Sequence, residues 1–217
     1  MESIELQQGL IAIGGLKGEG KTLFCLKLAN HIAQKERVLF ISYQDYTEKF
    51  SDNLAKVDGS ISPNLEINTK FEYFGVITLV ALMKVLERNL ITTIFIDHSD
   101  FLNKYHPFDE PYIDVDEFID ALAFLSFHFK VRVVFTINIA GKYDTSRDFP
   151  MLRDFNASRH IHNKCCQVLA IYRPYYHALF EDENGLSTIN KLEVYSLKNV
   201  HNTTTVNTLN WAEFVKS

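Results

Sequence analysis

Gly15-Leu16-Lys17-Gly18-Glu19-Gly20-Lys21-Thr22 is the stretch on which the reading of this chain turns. It fits the P-loop pattern of Gly, four residues, Gly, Lys and Thr without a mismatch. Average residue frequencies put a chance match in 217 residues on the order of one in a hundred. The neighbours sharpen the match. An apolar run, Leu10 to Ile13, leads into Gly14-Gly15, and Leu23, Leu26, Ala29, Ile32 and Ala33 follow at helical spacing. Strand, glycine loop and helix is the context the pattern requires.

Each part of the motif has a chemical reason. Glycines let backbone N–H groups converge on phosphate oxygens, and the helix that follows adds the positive end of its dipole. Lys21 reaches the β- and γ-phosphates, while the Thr22 hydroxyl is a Mg²⁺ ligand. The candidate nucleotide-binding residues here are Gly15, Lys17, Gly18, Glu19, Gly20, Lys21, Thr22 and Leu23, with ATP and Mg²⁺ as the ligands. Asp97 closes the β-branched run Thr92-Thr93-Ile94-Phe95-Ile96 and is the carboxylate expected to hold the Mg²⁺ shell beside Thr22.

Outward from the loop, helical and apolar segments alternate. Val38 to Ser42 reads as a short strand, and Thr47 to Lys70 as a loop-rich insertion containing Gly59 and Pro63. Val76 to Leu90 has helical spacing and feeds the strand that ends at Asp97. Val115 to Phe129 reads as an amphipathic helix, Val131 to Ile139 and Cys166 to Ile171 as buried strands. Leu192 to Leu197 and Thr203 to Leu209 alternate apolar with polar residues, as an edge hairpin does. The pattern predicts an α/β fold: a mostly parallel central sheet, helices on both faces, and an antiparallel hairpin at the C-terminal edge.

Composition bounds the function. Hydrophobic residues at 47% and charged residues at 23% suit one globular domain spanning 1–217, and a net charge of −5 argues against a wholly basic nucleic-acid or membrane surface. Three cysteines, two of them the adjacent Cys165-Cys166, give neither a disulfide framework nor paired zinc-ligand spacing. The acidic start, Met1-Glu2-Ser3-Ile4-Glu5, is unlike a signal peptide, and no apolar run approaches the roughly 20 residues of a membrane span, so a cytoplasmic protein with no membrane partner is expected. Asp114, Asp116, Glu117 and Asp120 read as negative charge at a helix N-terminus. His160, His162, Cys165 and Cys166 fit no familiar metal-ligand spacing and read as loop and strand.

Further segments carry a resemblance. Pro150-Met151-Leu152-Arg153-Asp154-Phe155-Asn156-Ala157-Ser158 is followed by Tyr172-Arg173 and Tyr175-Tyr176, and later by Ser196-Leu197-Lys198-Asn199. In order after the P-loop, Tyr43-Gln44-Asp45 and Phe95-Ile96-Asp97, these resemble successive motifs of the C-terminal ATPase domain of DnaB-type replicative DNA helicases, a branch of the RecA-like fold. The resemblance runs from Leu6 to Trp211 and leaves no counterpart of the family's N-terminal, primase-binding domain. It implies that Arg173 and Tyr176 lie near the nucleotide base or subunit boundary. It also implies that Lys198 reaches a neighbouring subunit's nucleotide, in a head-to-tail assembly with copies of this chain or with a partner protein. Single-stranded DNA is the implied polymer partner; Lys142, Tyr143, Arg147, Arg153 and Arg159 suit its backbone, and suit a solvated surface loop equally well.

The departures from the family pattern concern hydrolysis. Gln44 stands where the family has the glutamate that polarises the attacking water, and Asp45, one residue on, is the nearest carboxylate. Val200 stands where the family has its trans-acting arginine, a group worth about 10³ or more in rate in related enzymes. Asn138 replaces the family's sensor glutamine. Lys21, Gln44, Asp45, Asp97 and Asn138 are therefore the candidate catalytic set, with nucleotide binding expected to persist and turnover to be weak or lost. Two readings stand: a helicase-like ATPase, or a non-hydrolysing, nucleotide-dependent regulatory or accessory module.

Overall fold

The computed structural model describes residues 4–43, 48–57, 60–69, 76–88, 90–97, 114–139, 149–200 and 204–216. Eight strands form one sheet: β1 (Leu10–Gly15), β2 (Arg37–Ser42), β3 (Leu65–Asn68), β4 (Ile91–Asp97), β5 (Arg132–Asn138), β6 (Gln167–Tyr172), β7 (Lys191–Lys198) and β8 (Thr205–Asn210). Their spatial order is β3-β2-β4-β5-β1-β6-β7-β8. The first six run parallel, β7 is antiparallel to β6, and β8 is antiparallel to β7. The parallel core and the antiparallel C-terminal edge are thus as the sequence pattern predicts.

Strand parity sorts the core into two layers. Ile11, Ile13, Phe40, Phe95, Val134 and Leu169 face helices α1 (Lys21–Ala33), α2 (Glu48–Ala55) and α6 (Trp211–Lys216) through Leu23, Phe24, Leu26, Phe50 and Phe214. Residues one position away, including Ala12, Ile41, Ile94, Phe135 and Ala170, face α3 (Val76–Arg88), α4 (Val115–Phe129) and α5 (Ser158–Lys164) through Leu82, Phe118, Leu122 and Ile161. Both faces of the parallel strands are covered, so those strands read as continuous apolar runs. Each fully buried side chain of this kind contributes about 1.5–3 kcal/mol.

Helix α4 starts where its sequence says. The Asp114 carboxylate accepts from the N–H groups of Asp116 (2.9 Å) and Glu117 (2.8 Å), and the Glu117 carboxylate accepts from Asp114 N–H at 3.1 Å, a reciprocal capping box. The acidic group therefore acts at the helix N-terminus, as its position predicts. His160 Nδ1 and Lys164 Nζ from α5 meet Asp116 and Asp120 at 3.2 and 2.8 Å.

The stretch from 47 to 70 departs from the expected loop. It holds α2 and the edge strand β3, in which only Leu65 is fully buried. What seats β3 is polar: Ser62 N–H donates to Asn30 Oδ1 at 2.8 Å and its hydroxyl to the Ala33 carbonyl at 2.7 Å, fixing the approach to Leu65 against the end of α1. Helices α5 and α6 are likewise short elements that periodicity does not announce. No helix among the described residues is long and apolar enough to cross a membrane.

Candidate functional site

The carboxyl ends of β1, β4 and β5 meet at one rim of the sheet, which is where parallel α/β sheets place ligands. β1 ends at Gly15, and the segment Leu16 to Gly20 turns directly into α1. Gly18 and Gly20 adopt φ 93° and 92°, a region that strains L side chains. A Cβ on Gly20 would stand 2.5 Å from Trp211 Cη2, so that glycine also admits a ring.

Side chains at the rim converge on Asp97. Thr22 Oγ1 donates to Asp97 Oδ2 at 2.8 Å, and Thr136 Oγ1 donates to Asp97 Oδ1 at 2.7 Å. Asp97 is 1% exposed. Tyr43 N–H donates to the Asp97 carbonyl at 2.8 Å, so the end of β2 is held to the end of β4. Lys21 Nζ donates to the carbonyls of Gly15 (2.9 Å) and Leu16 (3.0 Å), which lays its ammonium along the loop. Asn138 is the register partner of Gly15 and stands at the root of the loop. Cys25, on the first turns of α1 below the site, is inert: burial above all, and then the Asp97 carboxylate, pushes its thiol well above the ordinary range.

A second group of side chains flanks the loop. Arg173 follows β6, and its guanidinium lies 4.2 Å from the Tyr176 ring centroid and 4.3 Å from that of Trp211. Nη1 donates to the Tyr176 hydroxyl at 3.0 Å, while the buried Nε has no hydrogen-bond partner among the described residues. Burial pushes the Arg173 pKa down, and Tyr176 and the Glu19 carboxylate counter that shift. α6 is pinned to α1 by the Lys27 ammonium, which donates to the Phe214 carbonyl, and by stacking of Phe214 on Phe24 and on Trp211 at 6.0 and 5.6 Å. Trp211 stands beside the loop and is a residue that motif reading did not single out. Its one sequence signal is being the chain's single tryptophan, directly after an alternating strand.

The remaining candidates fall apart from this cluster. Lys17 is exposed on the loop, and Leu23 is buried beneath it. Lys198 ends β7 and pairs with Val168, itself level with Ala12, so it lies about 10 Å below the loop along the strand direction. Its ammonium donates to the carbonyls of His162 and, at 2.6 Å, Cys165, closing the C-terminal end of α5. Arg153 and Arg159 are exposed. Gln44, Asp45, Lys142, Tyr143 and Arg147 lie outside the described residues.

The donor sets fit the ligands the motif implies. A hydroxyl beside a carboxylate is a hard oxygen pair of the kind Mg²⁺ takes, and Thr22 and Asp97 are the residues that would hold it. Loop amides, the Lys21 ammonium and the N-terminus of α1 are the groups that would receive an anion.

No family model matches the sequence, and no curated protein matches it. The fold is similar to that of a solved DnaB-like replicative helicase, studied with its interactions with primase: TM-score 0.66, 18% identity, over 93% of this chain and 54% of that one. The chain spans about half the length of that helicase. The shared architecture is the RecA-like α/β fold. In all, 365 chains of known structure match, so the fold alone does not select an activity.

Proposed function

We propose that this chain is an ATP-binding domain of the DnaB-helicase-like kind, acting in DNA replication or related DNA transactions, with weak or lost hydrolysis. The observation that carries it is the Thr22–Asp97–Thr136 network set beside the ammonium of Lys21 on one glycine loop. The loop amides and Lys21 would bind the phosphates, and Thr22 and Asp97 would hold Mg²⁺, which when bound would neutralise charge on the phosphates. Arg173, Tyr176 and Trp211 form the platform for the base: the Arg173 guanidinium is held between the two rings, and Tyr176, 61% exposed, keeps ring surface open to a flat aromatic ligand.

Hydrolysis needs groups that this chain replaces. Gln44 cannot take a proton as a carboxylate does. Val200, at the hairpin where a trans cation is expected, is 67% exposed and uncharged. These substitutions favour retained affinity over turnover, and they keep open the second reading, a nucleotide-dependent regulatory or accessory module that assembles with a partner. Calorimetry with ATP and Mg²⁺, and a steady-state ATPase assay with and without single-stranded DNA, test the proposal. Binding without turnover is the expected result; turnover of several per second would overturn it. Size-exclusion chromatography with and without ATP-Mg²⁺ separates the readings, since rings with DNA-stimulated turnover favour a helicase-like ATPase and a silent monomer or dimer favours the module.

A further inference from the structure

Glu19 carries a carboxylate that phosphate binding does not need. It is 2% exposed, and burying a charge costs several kcal/mol unless it is partnered. Both oxygens have partners: Oε2 accepts from Leu16 N–H at 2.6 Å, and Oε1 meets His177 Nε2 at 2.8 Å. The carboxylate comes so close to the start of the loop that a Cβ on Gly15 would sit 3.0 Å from Oε2. The His177 ring is itself stacked on Tyr172, the last residue of β6, at 4.7 Å and 29°. Residues 158 apart in sequence are thus joined in a partly buried bond between the loop and the β6–β7 connection.

That connection is the one that carries the base platform. Arg173 precedes a 3-10 turn, Pro174–His177, whose third residue is Tyr176 and whose last is His177. The Glu19 charge also acts on Arg173 directly. One side chain of the phosphate loop therefore holds the segment that presents both Arg173 and Tyr176.

We propose that Glu19 and His177 form a positioning pair that fixes the spacing between the phosphate loop and the Arg173–Tyr176–Trp211 platform, so that an adenine nucleotide engages both subsites at once. This rests on the nucleotide-binding reading above. Two weak subsites held at fixed spacing bind a ligand that spans them far better than either binds its own half, because the second contact forms within an existing complex. Freedom between the subsites removes that gain and leaves each subsite intact.

The test uses the full chain. His177→Phe keeps a ring over Tyr172 and removes the nitrogen facing Glu19, whereas His177→Gln returns a donor without the ring. Each is titrated with ATP-Mg²⁺, inorganic tripolyphosphate and adenosine, by calorimetry and by the emission of Trp211, the single tryptophan. The expected result is an ATP affinity about tenfold weaker in His177→Phe, with tripolyphosphate and adenosine each changed by less than about twofold. His177→Gln should recover most of the ATP affinity, and Glu19→Gln added to His177→Phe should cost little more than His177→Phe alone, since coupled partners are not additive. Tripolyphosphate binding lost in step with ATP would mean a loop brace only, and unchanged ATP affinity in His177→Phe would mean that the spacing is set elsewhere; either overturns the proposal. Parent protein that takes up none of the three ligands would defeat the nucleotide reading itself.

Discussion

The two ends of the parallel strands each hold a carboxylate bonded to a threonine hydroxyl, and they are built to opposite ends. At the carboxyl rim, Asp97 accepts from Thr22 and Thr136, is 1% exposed, and forms no ion pair among the described residues. At the amino rim, Glu36 accepts from Thr92 at 2.8 Å and is bonded to the Arg132 guanidinium, with a third of its side chain open to solvent. Arg132 belongs to β5 and Glu36 immediately precedes β2, so that pair ties strands together and is complete in itself. Among the described residues the Asp97 carboxylate is bonded to hydroxyls and forms no ion pair, the arrangement on which the proposed Mg²⁺ site rests. Lys198 follows the rule of the amino rim, its charge spent on the carbonyls that end α5. A complete polar cluster serves stability; an incomplete one, buried at a strand end, is a candidate ligand site.

The largest effect that tests this contrast is at Lys21. Lys21→Ala removes the ammonium beside the loop, and hydrogen bonds to charged groups are each worth about 1.5–3 kcal/mol, so ATP affinity should fall about a hundredfold by calorimetry. Asp97→Asn comes next. It keeps the shape between Thr22 and Thr136 and removes the charge, so ATP binding should weaken about tenfold and lose most of its dependence on Mg²⁺ when metal is titrated against EDTA. A variant that kept full Mg²⁺ dependence would place the cation elsewhere. Lys198→Met keeps the aliphatic stem and strips two carbonyls of their donor, so chemical unfolding should register a loss of about 1 kcal/mol. If stability did not move, the ammonium would be free to serve a neighbouring subunit instead.

The carboxyl rim was far more legible in sequence than the amino rim. A glycine loop is contiguous, and its chemistry fixes residue types at fixed spacing, so Gly15 through Thr22 could be read directly, as could the β-branched strand that ends at Asp97. α4 was legible to its ends because acidic residues crowd one of them and its apolar spacing runs to the other; the capping box that Asp114 and Glu117 form there is what the structure adds. β3 was hidden because an edge strand with a single fully buried residue, held by Ser62 and Asn30, carries no apolar run. Contacts distant in sequence left no trace: Thr136 on Asp97, Trp211 over Gly20 and His177 on Glu19 each join segments that only the fold brings together. The resemblance implies a role in trans for Lys198, whereas its bonds to α5 in cis depend on where β7 stops beside β6.

The smallest effect belongs to Glu36, and its pH dependence is what sharpens the contrast. Burial alone would raise this carboxyl, but the Arg132 guanidinium and the Thr92 hydroxyl bonded to it outweigh burial and hold it below the usual carboxylate range. A carboxyl whose folded pKa is depressed stabilises the fold above its unfolded value of about 4.3 and gives that stability up as pH falls through the lower folded value. Glu36→Gln should therefore cost no more than about 1 kcal/mol at neutral pH, the range of a pair open to solvent, and the cost should shrink in added salt. Once pH has fallen below that lowered folded value, parent and variant should converge in stability. ATP affinity should be the same in both at neutral pH, because the amino rim of the sheet touches no part of the loop. A change in nucleotide binding on Glu36→Gln would mean that strain at one end of β4 and β5 reaches Asp97 at the other, and the division between a structural rim and a ligand rim would no longer stand.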